Sequence, residues 1–405
     1  MIPGHFIFAH LRDKRIHLGL TGSVAACRAP DLVRAFVGAG VAVGCTLTDA
    51  ALNFVTPLTL RSLGADPVWS GPWLDGVEDP FAHLAPGRAA DVFLIAPASA
   101  DIMARAAAGL AGDLLACQIL ACAKPCIFAP AMNPAMWSAP ATQANVETLT
   151  SRGAAFVGPD SGLVACGDQG QGRMAPIPNI FAHCARLLSP CDLAGRKALV
   201  TLGPTWEPFD RVRIWTNRST GRMGSAMAMA AWLAGAEVYV VHGPVEVAFP
   251  GGIRTIPVET AREMHEAVME LWPDADLGCC TAAVADFRPE PRPGKLKKAV
   301  NPDGLVLDLV PNPDILADMG RTKRSGQVLV GFAAEAEDPW PAMSSKLQRK
   351  NLDLIVGNRI DMPGQGFASA DNAVAVLDRH GRKAEWDSRP KTDIAWDLWQ
   401  WVRTL

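Results

Sequence analysis

The chain has no surplus of positive charge: 38 lysines and arginines stand against 41 acidic residues over 405 positions. A protein that holds nucleic acid or anionic lipid through a basic field is excluded, so any anionic ligand must be met by local groups. Nowhere do about 18 uncharged apolar residues run together, and the opening MIPGHFIFAHLRDKR has no apolar run ahead of a small-residue cleavage site. The expectation is a soluble, cytoplasmic protein with neither a nucleic-acid nor a membrane partner. Long acidic tails and tandem repeats are also missing.

Ten cysteines are present without a single CxxC pair, and the nearest approach to a cluster, Cys117, Cys122 and Cys126, has no histidine nearby. That spacing argues against a zinc site and a disulfide framework. Cys117, Cys122, Cys126, Cys279 and Cys280 read as buried thiols in a reducing compartment.

Apolar residues make up 49% of the chain, ample for sizeable cores, and the length suggests two or three domains. RIHLGLTGS reads as a buried strand ending in Thr21, Gly22 and Ser23, followed by a helix from Val24 to about Ala39 and a second strand, VAVGCTLT. Such a strand-to-helix turn presents backbone N–H groups and hydroxyls to a phosphate, although one glycine turn is weak evidence alone. Further strands are predicted at DVFLIAP and KPCIFAP, with one alanine-rich helix, DIMARAAAGLAGDLLACQILA, between them. Alternating strands and helices give a parallel sheet covered on both faces, whose ligands bind beyond the carboxyl ends of the strands. Pro97, Ala98 and Ser99 follow one strand and PAMNPAMW follows the next. There Asn133 offers an amide donor, and Met132, Met136 and Trp137 are placed to pack on a flat ring, though methionine more often fills a core. His83, in DPFAHLAPGR, is a lone loop histidine of a kind more often structural than catalytic.

In ACGDQGQGRM, Ala165 to Met174, one cysteine sits among Gly167, Gly170 and Gly172. A loop this rich in glycine folds tightly and moves, so the Cys166 thiol is placed to swing over a substrate and give or take a proton. The blander reading is a surface turn with an incidental cysteine.

From Ala175 to about Leu193 the pattern loosens around a short helical piece with prolines at both ends, which reads as the joint between domains 1–190 and 191–405. A fresh α/β pattern begins at RKALVTLGPT, running into Gly203, Pro204 and Thr205. In TNRSTGRMGSAMAMAAWLAGAEVYVVHGP, Gly221 and Gly224 lead into a small-residue helix, letting the backbone approach a phosphate or carboxylate. LGCCTAAVADF, QVLVGFAAE and LDLIVGN read as strands, and AVAVLDRHGRKAEW as a hairpin turning at His380 and Gly381. Lysines gather at GKLKK (Lys295, Lys297, Lys298) after a proline-rich flap, and at KLQRK, where Lys346 and Lys350 share a helix face. A solvated surface is the default for such runs; beside a glycine turn they also suit a triphosphate.

PAMN, ACGDQGQGRM, GPTWEPFDRVRIWTNRSTGRMG, AAVADFRP, GKLKK, NPDIL, GFAAE and KLQRKNLDLIVGN occur in that order along nearly the whole chain. In this ordered set the chain resembles the bacterial bifunctional phosphopantothenoylcysteine decarboxylase / phosphopantothenate–cysteine ligase of coenzyme A biosynthesis. The resemblance implies two three-layer α/β domains: a flavodoxin-like FMN-binding decarboxylase followed by a Rossmann-like, CTP-dependent ligase. Carried over by position, His83 is the active-site histidine, Asn133 holds the substrate carboxylate and Cys166 donates a proton. FMN lies against Thr21, Gly22, Ser23, Thr48, Phe54, Ala98 and Ser99. In the ligase half Asn217 orients the activated acyl group and Lys295 neutralises developing charge. Gly203, Asp286, Lys295, Asn312, Pro313, Asp314, Ile315, Phe332, Lys346 and Lys350 make the CTP site, with Mg2+ as the companion ion and no metal ligands assigned. The resemblance further implies 4′-phosphopantothenate and cysteine as substrates, and a large homo-oligomer built from trimers and dimers. The chain departs from the family pattern at Ala82, Ala85–Pro86, Cys27–Arg28, Gly112, Trp206 and Arg222. Two competing readings are a decarboxylase acting on another cysteine-containing substrate, and an FMN-binding regulatory protein with one inactive half.

Overall fold

Short apolar runs alternating with helices build the central part of the first sheet. Its strands are β1 (Arg15–Leu20), β2 (Ala42–Leu47), β3 (Ala65–Ser70), β4 (Val92–Ala98), β5 (Cys126–Pro130) and β6 (Ala155–Phe156). They lie parallel in the order β3-β2-β1-β4-β5-β6. Every residue of β4 is buried, as expected of a central strand covered on both faces. The strand order reverses direction between β1 and β4, which opens a crevice at their carboxyl ends. A separate antiparallel hairpin, β7 (Asp160–Leu163) and β8 (Gln169–Arg173), carries the Cys166 turn.

The computed structural model describes residues 1–71, 80–290, 292, 294–295, 306–335, 338–359 and 369–405. Lys297 and Lys298 lie outside the described residues. The chain divides into two compact units, Met1–Pro190 and Cys191–Leu405.

The second unit's main sheet contains β9 (Lys197–Leu202), β12 (Glu237–His242), β13 (Ile253–Pro257), β14 (Leu277–Cys280), β17 (Val328–Glu335), β18 (Leu354–Arg359), β19 (Asp371–Asp378) and β20 (Lys383–Pro390). Two small antiparallel pairs flank it: β10 (Trp206–Pro208) with β11 (Ile214–Thr216), and β15 (Phe287–Pro289) with β16 (Leu309–Pro311). The main order is β13-β12-β9-β14-β17-β18-β19-β20, parallel from β13 to β18 and antiparallel thereafter. Here the order reverses between β9 and β14. The small-residue helix Arg222–Leu233 packs flush on β9 because Gly224 has no side chain; a Cβ there would collide with Leu202 and with the Thr281 hydroxyl. Gly224 therefore serves helix–strand packing.

Two local expectations are corrected. The helix expected from Val24 to Ala39 is a 3-10 turn, Val24–Arg28, followed by an α-helix, Ala29–Gly38, because Pro30 has no N–H to continue the ladder. The single alanine-rich helix is two: Ala100–Ala108 stops at left-handed Gly109, and Leu114–Ala121 restarts under an Asp113 cap. The helical piece expected between Ala175 and Leu193 is the helix Ile177–Leu188, whose Ile180, Phe181, Cys184 and Leu188 are buried in the first unit's core.

All ten cysteines are free thiols, but of the five expected to be buried only Cys279 is. Cys117, Cys122, Cys126 and Cys280 are half-buried because they occupy a helix body, a helix cap and strand ends. Among the described residues, no helix is long and apolar enough to cross a membrane.

Candidate active sites

At the carboxyl ends of β1 and β4, one hydroxyl joins the two turns. Thr21 Oγ1 donates to the Pro97 carbonyl at 2.7 Å and accepts from the Ser99 N–H at 3.1 Å. Ser99 caps the following helix by accepting from the Ile102 N–H, and Ser23 accepts from the Ala25 N–H in the same way. Thr48 is tied to β1 through its N–H on the Leu20 carbonyl, and its hydroxyl accepts from the Ala51 N–H. These hydroxyls shape the turns and leave backbone N–H groups at the helix starts facing outward. Gly22 packs so closely on Ala50 that a Cβ would overlap it, Ala98 is fully buried, and Phe54 stays 44% exposed. Small residues, helix starts and an exposed aromatic suit a planar ring with a phosphate tail.

Asn133 follows β5. Its Oδ1 accepts from the Ala135 N–H at 2.8 Å, capping the short Pro134–Ser138 helix, which fixes the amide so that its NH2 faces the β7–β8 turn. That NH2 donates to Cys166 Sγ at 3.2 Å and to Asp168 Oδ2 at 2.6 Å. The Cys166 thiol in turn donates to the same carboxylate oxygen at 3.4 Å. The hairpin is held here because the Met132 N–H donates to the Gly172 carbonyl, and a Cβ on Gly172 would strike the Met132 carbonyl oxygen. His83 is half-buried in the turn before the short Ala85–Ala89 helix. Asp168 was missed at the sequence level, where one carboxylate in a glycine loop gives no sign of its neighbours.

In the second unit a cavity of about 660 Å³ opens at the carboxyl ends of β9 and β14. Its walls bring together Asn217, Asp286, Asn312, Pro313, Asp314, Ile315, Phe332, Lys346 and Lys350, while Gly203 and Lys295 are not among them. Gly203 lies in the turn after β9 and Lys295 is exposed. Asn217 and Asn312 are oriented by donating their side-chain N–H groups to the Ala283 and Ala285 carbonyls, each at 2.8 Å. Burial pushes the Asp314 carboxyl up, but the Lys350 ammonium and the Ala317 N–H outweigh it and hold it below the usual range. Ser219, Arg222, Arg349, Asn358 and Lys391 also line the cavity; the first four fall within motifs of the sequence without having been singled out as site residues, and Lys391 lies outside every motif. Lys391 starts the last helix, Lys391–Val402. Burial and the Arg222 charge bring its pKa down to about 8. Among the described residues, no group of three or more His, Cys, Asp or Glu side chains is arranged to hold a metal ion.

Residues 9–189 match the family described as Flavoprotein, and residues 193–405 match the DNA/pantothenate metabolism flavoprotein C-terminal domain. The chain is 42% identical over 373 residues to the Coenzyme A biosynthesis bifunctional protein CoaBC of Vibrio cholerae, covering 92% of this chain and 94% of that protein. The chain belongs to the CoaBC family. It is 41% identical to the protein of the same name from Escherichia coli K12 over 376 residues, covering 92% of this chain and 93% of that one. Among solved structures, the C-terminal domain of a CoaBC protein is 34% identical and covers 53% of this chain and 96% of its own, with a TM-score of 0.45. A PPC decarboxylase mutant complexed with pantothenoylaminoethenethiol is 33% identical and covers 43% of this chain and 97% of its own, with a TM-score of 0.39. The chain thus joins a flavodoxin-like FMN domain to the C-terminal domain of its family.

Proposed function

We propose that this CoaBC chain catalyses two consecutive steps of coenzyme A assembly. Residues 191–405 ligate cysteine to 4′-phosphopantothenate at the expense of CTP, and residues 1–190 decarboxylate the resulting phosphopantothenoylcysteine to 4′-phosphopantetheine. The observation that carries the reading is the Asn133 amide presented to the Cys166 thiol: a carboxylate holder beside a proton donor, on a hairpin at the strand ends.

In the second unit the carboxylate of 4′-phosphopantothenate attacks the α-phosphate of CTP, giving an acyl-cytidylate and pyrophosphate, and the amine of cysteine then displaces CMP. Asn217 orients the acyl group, and Asp286, Asn312, Pro313, Asp314, Ile315 and Phe332 hold the nucleotide, with Gly203 supporting the turn beneath. Lys295, Lys346 and Lys350 oppose the charge that develops on the phosphates, and Mg2+ enters with the triphosphate.

In the first unit Thr21, Gly22, Ser23, Thr48, Phe54, Ala98 and Ser99 would hold FMN. Bound FMN supplies the oxidation of the adjacent CH2–SH, and its later reversal, that give the departing carboxylate an electron sink. Asn133 fixes the carboxylate, Cys166 passes its proton to the carbon from which CO2 has left, and His83 would serve as the active-site histidine. The working form is a cytoplasmic homo-oligomer of trimers and dimers.

Incubation with 4′-phosphopantothenate, cysteine, CTP and Mg2+, followed by mass spectrometry, tests both halves. Phosphopantetheine, CMP, pyrophosphate and CO2 are expected. Accumulation of phosphopantothenoylcysteine would overturn the decarboxylase assignment alone, and no consumption would overturn both. With Cys166→Ser, a decarboxylated product two hydrogens short of phosphopantetheine should accumulate.

A further inference from the structure

The NH2 of Asn133 has two acceptors on the hairpin. With Oδ1 committed to the Ala135 N–H, the amide cannot turn over, so its NH2 must face the hairpin. The NH2 meets the Cys166 sulfur at 3.2 Å and Asp168 Oδ2 at 2.6 Å, the shorter of the two contacts. Asp168 is exposed, so burial does not explain why its carboxylate stands there. Its position is set by the hairpin, which Gly172 lets lie directly on the Met132–Asn133 backbone.

A carboxylate on the Asn133 NH2 occupies the place where the substrate's carboxylate must bind, if Asn133 has the role given above. We propose that Asp168 is a positioning residue that fills the carboxylate site of Asn133 until substrate arrives, and refills it after CO2 leaves. The inference rests on the proposed role of Asn133. Two carboxylates on one NH2 group repel each other, so the incoming substrate displaces Asp168, and with it the thiol that donates to Asp168 Oδ2. Loss of the substrate's negative group as neutral CO2 removes that repulsion. Asp168 then returns to Asn133, and Cys166, two residues away on the same turn, is brought back to the site as its proton is needed. The order of steps follows from charge: the proton donor is held away while the carboxylate is bound, and restored once it has gone.

The test uses the full FMN-loaded chain and two ligands, titrated by the change in flavin absorbance. One is the serine analogue of phosphopantothenoylcysteine, which keeps the carboxylate and lacks the thiol. The other is 4′-phosphopantetheine, which has no carboxylate. Asp168→Asn keeps the shape and a hydrogen-bond acceptor but removes the charge, so the serine analogue should bind about fivefold tighter while phosphopantetheine stays within about twofold. Asp168→Ala should do the same. In turnover both variants should show a lower KM and also a lower kcat, because the charged carboxylate whose return to Asn133 brings the thiol back is gone. Equal changes for both ligands, or none for either, would overturn the proposal. Asn133→Ala separates it from the reading beneath: unaltered affinity for the serine analogue sinks the role of Asn133. Weakened affinity there, with no gain in Asp168→Asn, sinks only the role of Asp168.

Discussion

Lys350 Nζ lies 2.8 Å from a carboxylate oxygen of Asp314, across the wall of the second unit's cavity. Asp314 is also the cap of the Ile315–Thr322 helix, accepting from the Ala317 N–H, so the carboxylate is held in place from two sides. The Lys350 side chain is only 17% exposed and lines the cavity. A triphosphate entering there meets a cation already oriented for it. Lys350→Gln should raise the KM for CTP about tenfold or more, since it removes that cation and leaves the carboxylate uncompensated. The double variant with Asp314→Asn should recover part of the loss, a coupling that a double-mutant cycle would measure. Decarboxylation of supplied phosphopantothenoylcysteine should not change.

Gly172 makes a comparable prediction for the first unit. Its Cβ position is filled by the Met132 carbonyl oxygen, backbone that cannot rotate away. Gly172→Ala should therefore lift the hairpin from Asn133, part Cys166 from the amide, and cut decarboxylation at least about tenfold, the scale expected of a small misplacement at a reacting centre. Ligation of cysteine should remain at its wild-type rate. Loss of both activities would mean that the substitution acts on folding.

The same glycine shows what was legible in the sequence. The central strands of both sheets were legible, because buried parallel strands announce themselves as unbroken apolar runs, whereas the edge strands β3, β6 and β13 carry no such run. The glycines of ACGDQGQGRM marked a special loop, yet only coordinates reveal that Gly172 lies on Met132 while Asp168 turns to Asn133. Helix boundaries went astray where one residue decides the outcome: Pro30 split one predicted helix, and Gly109 with Asp113 split another. In the second unit the motif residues converge on one cavity, but Lys391 arrives from the final helix, more than 150 residues after Arg222, with no pattern linking them. Lys295, prominent in its lysine run, stands exposed and outside those walls.

Acid should open the first unit through its histidines. His17 is buried on β1, with Nε2 on the Thr46 hydroxyl at 2.8 Å, and burial together with Arg15 lowers its pKa from 6.5 to about 3. Burial and Lys14 lower that of His10 to about 4. Both are neutral in the folded state, so between pH 6.5 and these values the unfolded chain takes up protons that the native chain does not. Stability is therefore intact above 6.5 and is lost as pH falls. At pH 4.5 the cost from His17 alone is about 2.5 kcal/mol. Urea midpoints followed by release of FMN should fall more steeply with acid in wild type than in His17→Gln; parallel curves would exclude His17 as the cause.

Lys391 makes the opposite prediction for the second unit. It is only 5% exposed, and its ammonium donates to the Ser369 carbonyl at 2.7 Å. Burial first and Arg222 second lower its pKa from 10.5 to about 8, with Asp371 opposing them. Below pH 8 both folded and unfolded chains carry the proton, and the folded state bears the full cost of the buried charge. Between 8 and 10.5 the folded chain releases its proton while the unfolded chain keeps it, so stability rises with pH across that window. Relative to Lys391→Met, the wild-type unit should gain about 2 kcal/mol between pH 7 and 9.5. The hydrogen bond to Ser369, lost at every pH in the variant, shifts the whole difference without altering its slope. A difference in unfolding free energy that stays flat over this range would show that Lys391 keeps an ordinary lysine pKa beside Arg222.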